Sequence, residues 1–155
     1  LVAIKSIAEE VRARGHVHRS ALHELVVGKP SPALLAEFQV APEHTLFHSI
    51  IVHFENEIPI QVEDRWVNSS LAPDYLSQDF SKITPNEYLM VQAPLQGVQY
   101  RIEALQAPKN IALMLQLSKQ EACLVLHRQT QSQGQVASIA TMWHPGSRYQ
   151  FAGNF

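Results

Sequence analysis

The chain has 155 residues, of which 46% are hydrophobic and 17% charged, and its formal net charge is -2. This length fits one domain with a substantial core, and the slightly negative charge argues against nucleic-acid binding by this chain alone. The single cysteine excludes an internal disulfide, and its apolar surroundings, ACLVLH, predict a buried side chain rather than a nucleophile. No apolar run approaches the roughly 20 residues of a membrane span and no signal peptide opens the chain, so we expect a cytoplasmic protein that does not contact membranes.

The first predicted element is a helix within LVAIKSIAEEVRARGH. Ile4, Ile7, Ala8 and Val11 follow helical spacing, and Gly15 is a natural stop. Because the chain opens inside this pattern without a methionine or a capping residue, the sequence predicts a fragment whose preceding part is missing.

A strand and a short helix are expected next. The strand covers His16–Val27, and the helix covers Ser31–Phe38. Ser31 is a suitable N-cap for this helix, and Pro32 suits its first position.

The stretch FHSIIVHFENEIPIQVEDRWV, from Phe47 to Val67, predicts a hairpin of two strands joined by a polar turn at Glu55, Asn56 and Glu57. Alternation along the strands puts one set of apolar residues on a single face: Ile50, Val52, Phe54, Ile58, Ile60 and Val62. The opposite face collects Ser49, Ile51, His53, Gln61, Glu63 and Arg65. This second face combines a cation, a carboxylate and an imidazole, so it is either a solvated surface or a functional site.

The remaining chain alternates short helices with strands. Thr84-Pro85-Asn86-Glu87 spells a capping box, and the helix that it opens has an N-terminus suited to an anion, although most such boxes only cap. The other predicted elements are a helix over 72–76, a strand over 99–107, a helix that Pro108-Lys109-Asn110 opens and that runs through Ile111 to Leu115, a hairpin of strands 123–131 and 135–144, and a terminal strand over 148–151. This order predicts an α+β domain with a mainly antiparallel sheet.

No catalytic or cofactor motif stands out. The eight histidines form neither an H-x-x-x-H pair nor a Cys/His cluster with zinc spacing. G-x-S-x-G, the P-loop and G-x-G-x-x-G do not occur. The residues therefore predict no metal and no cofactor, and they give an enzyme little support.

Several segments together resemble one protein family: VRARGH, FHSIIVHFENEIPIQVEDRWVN, APDYLSQDF, TPNEYL, APL and HPGSRYQF. They are similar to the effector-binding (UTRA) domain of bacterial GntR-type repressors, and most of all to the members that control histidine utilization. The resemblance implies a single domain over residues 1–155 with a chorismate lyase-like fold. It also implies a homodimer that contacts operator DNA only through an N-terminal winged helix-turn-helix, which this chain lacks.

The resemblance implies a ligand pocket and no catalysis. Relatives that bind sugar phosphates carry basic residues at the positions of Ile51 and His53, and a carboxylate at the position of Glu63. An isoleucine and a titratable ring weaken the case for a phosphate and suit a smaller monoanion. For a repressor of histidine utilization, the expected effector is urocanate, with histidine and formiminoglutamate as alternatives.

Urocanate offers a carboxylate, an imidazole and a flat face, and each requires a different partner. For the carboxylate, the candidates are Arg65, Arg101, Arg148 and the helix start at Thr84. For the ring nitrogens they are Glu63 and His53, and for the flat face Tyr88, Tyr100 and Tyr149, while His144 takes the position of a pocket tyrosine in relatives. Structural roles stay open, because Arg101 could pair with Glu103 and Arg148 could anchor the terminal strand. A lyase-like enzyme and a dimerisation module with a vestigial pocket also remain as alternatives.

Overall fold

A six-stranded antiparallel sheet with the strand order β1-β2-β3-β6-β5-β4 forms the centre of the computed structural model, which describes residues 5–154. The strands are β1 (His18–Val27), β2 (Leu46–Glu55), β3 (Ile58–Asn68), β4 (Gly97–Gln106), β5 (Ala122–Ser132) and β6 (Gln135–Pro145). The helices are α1 (Ile7–Ala13), α2 (Pro32–Phe38), α3 (Pro85–Gln92) and α4 (Lys109–Met114), with a 3-10 turn over Tyr75–Ser77. The predicted α+β class is confirmed. No helix within residues 5–154 is long and apolar enough to cross a membrane.

Both predicted hairpins are present, with strand ends that differ from the prediction by about a residue. Their turns are tight because the central residues adopt positive φ, at 48° and 67° for Asn56 and Glu57 and at 51° and 72° for Gln133 and Gly134. Such mirror-image turns match the right-handed twist of the flanking strands. They fix which residues of neighbouring strands face each other.

The first helix differs from the prediction at its start. Helix α1 begins at Ile7, and the Ser6 hydroxyl caps it by accepting a hydrogen bond from the backbone N–H of Glu9 at 3.1 Å. The prediction of an uncapped helix is therefore wrong. Ile4, which was assigned to the same helical pattern, lies outside the described residues.

Two later predictions also need correction. The helix expected over 72–76 is a single 3-10 turn. Helix α4, in contrast, begins at Lys109, within the Pro108-Lys109-Asn110 segment that was predicted to open it. The terminal strand is wrong, since no strand follows Pro145 in the described chain. The Arg148 side chain instead donates to the carbonyls of Pro59, Leu115 and Gln116, which holds the C-terminal segment against the end of the sheet.

The two faces of the sheet pack differently. On one face, Val52, Phe54 and Val62 form a buried cluster with α4 and β5 that includes Cys123, so the predicted burial of the cysteine is confirmed. Ile60 does not belong to this cluster, because the register shifts next to Phe54 and Ile60 packs against α1 instead.

The opposite face carries the predicted set of polar side chains. We call it the polar face and define it by Ser49, Ile51, His53, Gln61, Glu63 and Arg65. The connection from β3 to β4 packs over part of it, where Tyr75, Phe80 and Tyr88 join a core cluster with Ile51. The polar face is therefore enclosed rather than solvated.

Candidate functional site

Strand register aligns the polar face across the whole sheet. Arg65 on β3 lies opposite Ser49 on β2 and opposite Ala140 on β6, and Ala140 lies opposite Arg128 on β5. Two guanidinium groups thus share one row of the same face, with only the methyl group of Ala140 between them. The Ala140 methyl group offers neither guanidinium a hydrogen-bond partner.

A buried ion network forms the centre of the site. The Glu63 carboxylate accepts from Arg65 Nε at 2.9 Å through one oxygen, and its other oxygen lies 3.0 Å from His53 Nε2. All three side chains are buried. Burial raises the pKa of Glu63, but the charge of Arg65 and the hydrogen bond from His53 outweigh this effect and bring the pKa to about 2. Glu63 is therefore ionised at neutral pH.

The network extends in two directions. His53 Nδ1 lies 2.9 Å from Nε2 of His18, at the start of β1. On the other side, Arg65 donates to the Ser138 hydroxyl at 3.2 Å, and this hydroxyl lies 2.8 Å from that of Thr130. Hydrogen-bonded groups therefore cross β1, β2, β3, β6 and β5.

Arg128 has few hydrogen-bond partners in this site. Its Nε is buried and has no hydrogen-bond partner among the described residues, and its terminal nitrogen has one long contact, 3.5 Å to Asn86 at the start of α3. Burial lowers the pKa of Arg128 to about 10, and the charge of Arg65 adds to the decrease. An unpaired buried donor is costly, so an anion placed here would stabilise it.

A second buried histidine lies on the same face, on β6. His144 Nε2 lies 2.9 Å from the amide nitrogen of Gln61, and its Nδ1 lies 2.9 Å from the carbonyl oxygen of Leu124. Nδ1 must therefore carry the proton that the carbonyl accepts. Burial lowers the pKa of His144 to about 4, which keeps the ring neutral.

Aromatic residues close the site at its edges. Tyr149 stacks on His144, with ring centroids 4.2 Å apart, and donates to the Glu10 carboxylate of α1 at 2.7 Å. Tyr88 packs near Phe80 and Tyr75 on the other side. The site thus lies between α1, α3 and the C-terminal segment.

The structure brings six of the ten candidate ligand-binding residues to this region: His53, Glu63, Arg65, Tyr88, His144 and Tyr149. The other four have different surroundings. Tyr100 lies opposite Arg128 on the edge strand β4 and is exposed. The Thr84 hydroxyl already accepts the N–H of Glu87 in a closed capping box, so this hydroxyl acts as a helix cap. Arg148 is engaged with three backbone carbonyls.

Arg101 is on the opposite face, because its partner on β5 is His127 and not Arg128. There it lines a surface cavity of about 400 Å3 beside Asp64 and Trp66. The alternative role of Arg101, an ion pair with Glu103, is absent from the described residues, and Glu103 contacts His127 Nε2 at 2.8 Å instead. Arg101 is therefore no part of the site on the polar face.

Sequence reasoning missed His18 and Arg128. Both lie on strands whose existence was predicted, but the pairing of β5 with β6 and of β1 with β2 decides which face each side chain takes.

Within residues 5–154, no three His, Cys, Asp or Glu side chains form a group that could hold a metal ion.

Comparison with known proteins gives the same family along the whole chain. The family model described as UTRA domain matches residues 13–150. The histidine utilization repressor of Pseudomonas aeruginosa is 41% identical over 155 residues, covering 100% of this chain and 62% of the relative. That of Klebsiella aerogenes is 38% identical, covering 100% of this chain and 64% of the relative. Both relatives are named as repressors, which agrees with the prediction that the chain is not an enzyme.

A solved structure shows the same fold. The crystal structure of the C-terminal domain of the histidine utilization repressor from Pseudomonas syringae pv. tomato str. DC3000 has a TM-score of 0.84 and 39% identity. The structural match covers 89% of this chain and 98% of that domain. The resemblance inferred from the sequence motifs is thereby confirmed.

Proposed function

The chain belongs to the UTRA domain family, and on that premise we propose that it is the effector-sensing domain of a repressor of histidine utilization, with urocanate as its effector. The effector binds on the polar face, with its carboxylate between Arg65 and Arg128. Its occupancy controls operator binding by a winged helix-turn-helix that belongs to the longer protein. The names and lengths of the curated relatives support this proposal, since the chain spans 62% and 64% of their lengths.

The observation that carries the proposal is the unpaired Arg128 guanidinium. Among the described residues, Glu63 pairs with Arg65, and no carboxylate forms an ion pair with Arg128. The positive charge of Arg128 is thus uncompensated in a partly buried site, where the carboxylate of a ligand would form charge-assisted hydrogen bonds with it. A planar monoanion satisfies this charge.

The alternatives fit less well. Histidine brings an ammonium group toward two guanidinium groups, and like charges at short range repel. Formiminoglutamate carries two carboxylates, one more than the single unpaired cation can neutralise. Urocanate carries one carboxylate and a flat conjugated ring, which suits the aromatic side chains of Tyr149 and Tyr88.

Calorimetric titration of the chain with urocanate tests the proposal. Arg128→Met keeps the apolar stem and removes the charge, so affinity should fall about tenfold to a hundredfold, as expected for a charge-assisted hydrogen bond. Arg101→Met is the matched control, because this arginine lies on the neighbouring strand but on the opposite face. Urocanate affinity that is equal in both variants and in the unmodified chain would contradict the proposal, as would absence of binding.

We also propose that the chain forms a homodimer. Both edge strands of the sheet carry exposed apolar side chains, among them Leu22 and Val27 on β1 and Tyr100 and Ile102 on β4. Edge strands with exposed apolar residues favour pairing with another chain. Sedimentation equilibrium at micromolar concentration should give the mass of two chains, and the mass of one chain would contradict this.

Operator DNA contact belongs, in this proposal, to the part of the longer relatives that this chain does not cover. The net charge of -2 gives the chain no electrostatic advantage on a phosphate backbone. A gel-shift assay at physiological salt should show no sequence-specific complex with this chain alone. A specific complex would contradict the assignment.

A further inference from the structure

When the ring of His53 is neutral, the hydrogen-bonded chain that runs from Glu63 through His53 to His18 has a single direction. An ionised carboxylate is an acceptor only. The Glu63 carboxylate receives the N–H of Arg65 on one oxygen at 2.9 Å, and the contact of its other oxygen with His53 Nε2, at 3.0 Å, requires a proton on that nitrogen. His53 is therefore a donor through Nε2.

The tautomer of His53 sets the direction of its hydrogen bond with His18. In a neutral ring with a proton on Nε2, the Nδ1 of His53 has a lone pair and accepts. The contact of 2.9 Å with His18 Nε2 then requires His18 to donate through that nitrogen. His18 in turn keeps a lone pair on its own Nδ1, and it presents that lone pair at the far end of the chain.

The surroundings of His18 keep its own ring neutral. Burial lowers the pKa of His18 to about 4, and the charge of Arg12 adds to the decrease. Glu87 on α3 and Glu63 act in the opposite direction but do not outweigh it. The ring is half-buried and stacks on His53 with centroids 5.2 Å apart, so its orientation is held while one edge stays accessible.

We propose that His18 Nδ1 accepts the ring N–H of the effector and thereby selects an N–H heteroaromatic acid over a carbocyclic acid of the same shape. The inference rests on the proposed function and assigns the two ends of the effector to different groups. Arg128 binds the carboxylate, and His18 accepts a hydrogen bond from the ring. Glu63 does not touch the effector in this arrangement, and it acts as a positioning residue through His53.

A comparison of two ligands and three proteins tests this selection. Urocanate and trans-cinnamate share the acrylate group, but only urocanate has a ring N–H. In the unmodified chain urocanate should bind more tightly, and His18→Leu should lower its affinity about threefold to tenfold, as expected for one neutral hydrogen bond, while sparing cinnamate. His23→Leu, at an exposed position of the same strand, is the matched control and should change neither affinity.

The outcomes separate the two proposals. If neither ligand binds the unmodified chain, both fail. If urocanate binds in an Arg128-dependent way and His18→Leu leaves its preference over cinnamate unchanged, only the role of His18 is overturned.

Nitrogen-15 NMR of the histidine rings gives a readout that needs no variant. At pH 7, His18 and His53 should carry their protons on Nε2. His144 should carry its proton on Nδ1, because this atom donates to the Leu124 carbonyl, and it serves as an internal reference. A proton on Nδ1 of His18 in the ligand-free chain would overturn the inference.

Discussion

Glu63→Gln tests whether the buried carboxylate is a structural group or a ligand-binding group. Gln keeps the shape, but it has one acceptor oxygen where Glu63 uses two, at 2.9 Å from Arg65 and 3.0 Å from His53. Its NH2 group must face one of these two donors. The Arg65 guanidinium, whose side chain is 2% exposed, also loses its counter-charge.

We expect the free energy of unfolding to fall by about 3–5 kcal/mol, as for other buried ion pairs that lose one partner. With a urea m-value of about 2 kcal/mol/M, the midpoint of unfolding should fall by about 2 M. Urea titration followed by tryptophan fluorescence measures this shift. Glu57→Gln is the matched control, because Glu57 is exposed and pairs with Arg19 at the surface, and it should cost less than about 1 kcal/mol.

The reasoning would be refuted if Glu63→Gln unfolded within about 1 kcal/mol of the unmodified chain. Urocanate titration of the same variant adds a second criterion. Lost affinity at unchanged stability would mean that Glu63 contacts the effector directly, contrary to the positioning role assigned to it here.

Two further predictions concern stability. Burial lowers the pKa of His144 from 6.5 to about 4, so between these pH values the unfolded chain binds a proton more readily than the folded chain. The free energy of unfolding should therefore fall as the pH drops from 6.5 to 4, by up to about 3 kcal/mol from this residue. Urea midpoints measured across that range should show a smaller decrease in His144→Gln, and an equal decrease in both proteins would argue against the assignment. Gly28→Ala places a methyl group onto the Trp66 ring and should cost about 1–3 kcal/mol, whereas Gly153→Ala meets nothing within 4 Å and should be neutral. Thermal melts of the two alanine variants check this, and equal melting temperatures would contradict it.

The central part of the site was predictable from local sequence. Alternation along two strands joined by a tight turn puts His53, Glu63 and Arg65 on one face, and the turn at Asn56 fixes the register. Nothing beyond the hairpin itself is needed to bring these three side chains together.

The rest of the site depends on contacts between distant parts of the chain. Arg128 and Arg101 are both arginines on predicted strands, but only the register of β4 with β5 decides that they take opposite faces. A shift of one residue between β4 and β5 would bring Arg101 to the face that carries Arg128. Arg148 does not line the site because it donates to the carbonyls of Leu115 and Gln116 at the end of α4. These acceptors come from a distant part of the chain, and no sequence pattern reveals them.

The contact between Tyr149 and Glu10 joins the two ends of the chain across 139 positions of sequence. The sheet ends at Pro145, so shortening the protein after that residue should leave every strand in place. Helix α1 would nevertheless lose the stacked tyrosine that packs against Ile7 and Val11. The C-terminal segment thus holds α1 in place through Tyr149, and a displacement of Tyr149 would weaken the packing of α1.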